Sequence, residues 1–152
     1  MNAENEKDLI PPYDKSKWAK GEWDNEPDRK DFIHAGFSCF ILRNMLGNWC
    51  GYVGVPSTHP AYEKHYDDVN VEVHGGLTYA DKCSPPICHI PTPFMPEDVW
   101  WLGFDTAHLG DLSPYNNLSN VINTPIFRDG TYKNMEYVIN ETKQLAEQLE
   151  KM

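Results

Sequence analysis

The chain predicts an α+β fold, an antiparallel sheet of four or five strands with a C-terminal helix packed on one face. Three observations predict it. Short apolar or alternating runs at residues 37–42, 49–55, 69–73 and 99–104 end at Gly, Asn or Pro, as half-buried strands do. One segment near the C-terminus places Tyr132, Met135, Val138, Ile139, Thr142, Leu145, Ala146, Leu149 and Met152 at three- and four-residue steps, the stripe of an amphipathic helix. With 152 residues, five Trp and eight Tyr, the chain is large and aromatic enough for one real core, and disorder of the whole is excluded.

The elements follow in order. Residues 1–30 are polar, interrupted by Pro11, Pro12 and Pro27, and read as an N-terminal arm anchored by Trp18 and Trp23. Residues 31–152 form the single α+β domain. Residues 32–45 are apolar enough for a buried helix, but Phe37, Cys39 and Ile41 alternate with Ser38, Phe40 and Leu42. An Asn44 to Asn48 turn and a second β-rich run follow at once, so the stretch reads as a hairpin. Pro56 and Pro60 end that run, and residues 61–66 allow one or two helical turns. A strand over 69–73 then delivers His74 into Gly75-Gly76. Five prolines between Asp81 and Pro96 exclude a helix or central strand and predict an ordered flap. The Trp100-Trp101 strand and a polar loop over 112–125 come next. Thr131 or Asp129 is placed to cap the final helix. Its stripe is expected to pack on the sheet, with a coiled-coil partner as the alternative, so an oligomer stays open.

Acidic residues outnumber basic ones 23 to 13, for a net charge of −10. An acidic surface without a basic run opposes counterion release from a nucleic-acid polymer, which is excluded as a partner. A small anionic ligand remains open, because one pocket can be positive on an acidic protein. The longest apolar run is far below the roughly 20 residues that cross a bilayer, and the first residues carry no apolar signal, so no membrane partner and a cytoplasmic location are expected. Free thiols are then the default for Cys39, Cys50, Cys83 and Cys88. Cys83, Cys88 and His89 make a zinc-like local cluster that Cys39 could complete. The spacing is not that of a zinc ribbon, and buried thiols in a Pro-rich loop fit it better.

Two motifs carry the chemistry. In the first, His74 enters Gly75-Gly76, where two glycines allow positive φ and let amides face an anion, with Thr78 just beyond. In the second, Asp105, His108 and Asp111 lie three residues apart, with Gly103 and Gly110 close by to turn the chain. A carboxylate beside an imidazole fixes its tautomer and suits acid–base work. His74, Asp105 and His108 are therefore the candidate catalytic groups. Gly75, Gly76, Thr78, Asp111 and Trp101 are the candidate ligand contacts; alternation turns only one of Trp100 and Trp101 to the pocket and does not decide between them. No cofactor is identified, but a divalent metal is a candidate, held by His59, His74, His108 and Asp105 as a mixed N/O shell open to water. Plain turns with capping aspartates and a buried histidine would leave the same pattern. Phosphate-loop, dinucleotide-fold, zinc-protease and serine-elbow motifs are absent.

The segments 49–56 (WCGYVGVP), 74–80 (HGGLTYA) and 101–111 (WLGFDTAHLGD) resemble those of a family of small phage and prophage proteins of unassigned function. The resemblance spans about residues 45–150. It implies a phage setting, hence a host-cell cytoplasm, and by analogy a role in countering host defence, but no mechanism. Three functions are then expected, in this order: a hydrolase of a phosphorylated or nucleotide-like small ligand, a non-catalytic protein that sequesters such a ligand, and a protein–protein inhibitor of a host factor.

Overall fold

The computed structural model describes residues 9–91, 99–117 and 130–152. Five strands, β1 (Arg29–His34), β2 (Phe37–Arg43), β3 (Trp49–Pro56), β4 (Tyr79–Lys82) and β5 (Val99–Asp105), form one antiparallel sheet in the order β1-β2-β3-β5-β4. Among the described residues one α-helix, α1 (Met135–Glu150), packs across β2 and β3. No helix among the described residues is long and apolar enough to cross a membrane.

Both faces of the central strands are covered, and this explains the ambiguous composition of residues 32–45. Every residue of β2 is buried. Cys39 and Ile41 face the helix with Val53, Leu102 and Phe104, against Val138, Leu145, Ala146 and Leu149. Phe40 and Leu42 face the other way with Cys50, Tyr52 and Trp101. Two-sided burial makes the strand apolar throughout, so period-two alternation fades. The helix lies close to the sheet at Gly51, where an added Cβ would stand 2.2 Å from Thr142 Oγ1.

β1, which begins inside the expected arm at Arg29, is a strand that the sequence reading does not contain, because its polar edge residues conceal it. His34 pairs with Phe37 across Ala35-Gly36, both at positive φ (54° and 83°), the geometry of a two-residue hairpin turn. The β2–β3 turn forms as expected. There Asn44 Oδ1 accepts from the backbone N–H groups of Leu46 and Asn48.

Residues 9–28 are tied firmly to the body. Trp18 and Trp23 are buried, and Arg43, also buried, donates to Trp23 O, Gly47 O, Tyr132 Oη and Glu26 Oε1. Glu26 also accepts from Trp49 Nε1 and from the N–H of Met135, at the start of α1. Burial alone would raise the Glu26 carboxyl, but bonds from Tyr132, the Met135 amide, Trp49 and Arg43 outweigh it and hold it below its ordinary range.

Several expectations are corrected. Residues 70–78 are not a strand. At Glu72 and His74 the backbone bonds to the helix instead: Glu72 N–H donates to Gln148 Oε1 at 2.7 Å, Gln148 Nε2 donates to Glu72 O at 2.7 Å, and His74 N–H donates to Glu141 Oε1 at 2.9 Å. Val71 and Val73 are apolar because they pack on the core, not because they join the sheet. The helix is capped by Asn134, whose side chain accepts from Tyr137 N–H, not by Thr131; Asp129 lies outside the described residues, as do 92–98 of the flap and 118–125 of the polar loop. The helical stripe is filled by the sheet, which removes the coiled-coil alternative for that face.

Cys83 and Cys88 form a disulfide, so they are neither zinc ligands nor free thiols. Cys39 and Cys50 are free and buried, and burial pushes both thiols up to about 12. His89 hydrogen-bonds Ser38 through Nδ1 at 2.9 Å. Arg29 clamps the disulfide segment to the sheet, stacking 3.8 Å from the Phe40 ring centroid and donating to Pro86 O and Cys88 O.

Candidate functional site

Three elements meet at one end of the sheet: the turn after residue 73, the loop leaving β5, and the first turns of α1. Asp111 is their common partner and is only 2% exposed. Its carboxylate accepts from His74 Nε2 at 3.0 and 2.9 Å, from the backbone N–H of His108 at 3.0 Å, and from Lys133 Nζ at 3.0 Å. Lys133 also donates to Gly110 O and Thr131 O. Burial alone would raise the Asp111 carboxyl. The bonds from His74, the His108 amide and Lys133 more than offset it and keep it below the usual carboxylate range.

A carboxylate only accepts, so His74 carries its proton on Nε2. Its Nδ1 lies 2.8 Å from Tyr137 Oη and accepts from that hydroxyl. Both imidazole nitrogens are thereby engaged. Tyr137, 37% exposed, is the member of this chain most open to solvent; His74 is half-buried. Burial, with Glu141 and Asp111 nearby, raises its phenol above the ordinary value and keeps the proton on oxygen. Tyr137 and Glu141 are four residues apart on one face of α1, so a single helical face holds both the His74 amide and the His74 ring.

The second imidazole sits beside the first, with ring centroids 6.1 Å apart. His108 Nε2 is 3.1 Å from Asp105 Oδ1, but its N–H is not aimed to bond there, and the atom is buried without a hydrogen-bond partner. The two groups are thus in close approach without a hydrogen bond. Asp105 is itself held by the Ala107 N–H and by Thr78 Oγ1, which donates to Oδ2 at 3.1 Å. Leu109, 80% exposed, stands at the rim.

The fold therefore brings together His74, Gly75, Gly76, Thr78, Asp105, His108 and Asp111, and separates His59 and Trp101 from them. Gly75 is not an anion cradle: at φ +70° it returns the chain so closely over His108 that a Cβ would stand 2.2 Å from Nε2. Gly76, at φ +80°, has open space beside it, although its own N–H is spent on Val73 O. Thr78 supports Asp105. Asp111 is a buried hub and not an exposed ligand contact.

His59 caps the far end of α1. Its Nε2 donates to Leu149 O at 2.7 Å and its Nδ1 accepts from Ala61 N–H, about 18 Å along the helix from Tyr137 at the usual 1.5 Å rise. Trp101 is fully buried on the opposite face, edge-on to Phe40 and His89. Trp100 lies on the helix side and donates to Lys64 O. Among the described residues no group of three or more His, Cys, Asp or Glu side chains is arranged to hold a metal, and His59, at the far end of α1, stands apart from the other three candidate ligands. Sequence reasoning missed Tyr137, Glu141 and Lys133. The one available signal was Tyr137, an aromatic residue one step off the buried stripe of the helix.

Fold and site together define an α+β protein whose polar centre is a pair of neighbouring His–Asp contacts at one end of a five-stranded sheet. No protein-family model, curated protein or solved structure matches this chain.

Proposed function

We propose that this centre belongs to a small hydrolase acting on a phosphorylated or nucleotide-like ligand, with His74 and His108 as the proton-handling groups. The observation that carries the reading is the pairing of each imidazole with a carboxylate, His74 with Asp111 and His108 with Asp105, at a ring separation of 6.1 Å. Two proton-transfer groups a few ångströms apart can serve the attacking water and the leaving group of one displacement. Lys133 brings a cation to the same place. Sequestration without chemistry loses Trp101 as a stacking group, because Trp101 is buried on the other face, and is left with a tyrosine, such as the exposed Tyr137, to stack on a base.

In the phage setting that the resemblance implies, such an activity would remove a host nucleotide signal. The test is incubation of the purified protein with a panel of mono-, di- and cyclic nucleotides, followed by product detection. Asp105→Asn should bind within about tenfold of the wild type, roughly 1.4 kcal/mol, while turnover falls far more steeply. Tight binding with every ligand recovered intact from the wild type would replace the hydrolase with a sequestering protein.

A further inference from the structure

We propose that Tyr137 is the proton donor to the leaving group at this centre, acting as the solvent-facing end of the chain Tyr137–His74–Asp111. The inference rests on the hydrolase reading above and adds the group that touches the substrate. The geometry leaves His74 little direct role. Its Nε2 is committed to a buried carboxylate and its Nδ1 to the tyrosine hydroxyl, at 2.9 and 2.8 Å. The hydrogen-bonded route for a proton between His74 and a ligand therefore runs through Tyr137 Oη. The Tyr137 ring stands perpendicular to the imidazole at a centroid distance of 5.5 Å, so the hydroxyl is presented edge-on and the ring does not cover the path.

The step balances as follows. In the charged form, the His74 imidazolium donates Nε2–H to Asp111 and Nδ1–H to Tyr137 Oη, which frees the phenolic O–H to point outward. A water oxygen attacks the phosphorus of a phosphodiester and its proton passes to the imidazole of His108. The bond from phosphorus to the leaving oxygen breaks, and its electron pair stays on that oxygen. The leaving oxygen takes the Tyr137 proton, and Tyr137 Oη takes the Nδ1 proton of His74. His74 ends neutral, His108 ends protonated, and exchange with solvent resets both. Burial, with Glu141 and the Asp111 carboxylate beside it, holds the phenol in its neutral form and favours a donor over a tyrosinate nucleophile.

Leaving-group dependence tests this role, because a good leaving group needs no acid. The probes are the para-nitrophenyl ester of thymidine monophosphate and a thymidine dinucleotide, whose leaving group is an alkoxide. Tyr137→Phe removes one exposed oxygen and leaves the packed stripe untouched. It should slow cleavage of the dinucleotide about a hundredfold or more and change the para-nitrophenyl ester by no more than about threefold, the pattern of a lost general acid. Equal loss on both probes, or no loss on either, would overturn the donor role while leaving the hydrolase standing. No turnover of either probe by the wild type would remove the hydrolase reading and the donor with it.

Discussion

Replacing Asp111 by Asn tests the centre of the site with little change in volume. The carboxylate receives three donors, one of them the Lys133 ammonium, while its own burial is nearly complete. Asparagine presents one acceptor and one donor to the same three donors. At least one of them is then left facing an N–H₂ group. Hydrogen bonds to charged groups contribute about 1.5–3 kcal/mol each, and stranding a buried partner adds to that, so a loss of about 2–4 kcal/mol is expected. At about 2–4 °C per kcal/mol for a chain of this size, Tm should fall by about 5–15 °C. The pH dependence is more diagnostic. The Asp111 pKa is depressed in the folded state, so its stabilisation is complete above the unfolded value of about 3.9 and is lost as pH falls through the folded value. Urea titrations of both proteins from neutrality down through the carboxylate range should therefore show the widest gap near pH 7, closing below about pH 4. A gap that is constant with pH, or that widens in acid, would refute the claim that the ionised carboxylate organises this end of the sheet.

Two further outcomes check the packing. Gly51→Ala should cost about 1–3 kcal/mol, because its Cβ would fall 2.2 Å from Thr142 Oγ1. Combining it with Thr142→Ala should return part of that loss in a double-mutant cycle, and strict additivity would mean that helix and sheet do not meet there. A thiol-reactive dye should find no rapidly reacting cysteine in the native protein, because Cys39 and Cys50 are buried with thiols pushed up to about 12. It should count two thiols after denaturation and four after denaturation with reduction, and four without reduction would remove the Cys83–Cys88 bridge.

What the chain alone determined is whatever local periodicity encodes. The helical stripe through Val138, Leu145 and Leu149 repeats within one segment, so the helix and its buried face were legible, as were the 37–43 and 49–56 strands and the Asn44 turn between them. The α+β class followed from these. The clustering of His74 with Asp105, His108 and Asp111 was also legible, since polar groups beside glycines at the ends of apolar runs have few places to go. Tertiary structure decided the rest. Val69, Val71 and Val73 alternate like a strand, yet Gln148 and Glu141, some seventy residues away, bond the backbone at Glu72 and His74, and alternation cannot report which partner does so. Trp100 and Trp101 look equivalent in sequence; register against β3 puts Trp101 on the covered far face, away from the imidazoles. His59 resembles a ligand until the C-terminal end of α1 arrives to accept its proton. Tyr137 is one off-stripe residue of a helix until the chain folds 63 residues back upon His74. Period and composition are properties of neighbours along the chain, whereas the tautomer, burial and reach of a functional side chain are set by groups that only long-range packing brings beside it.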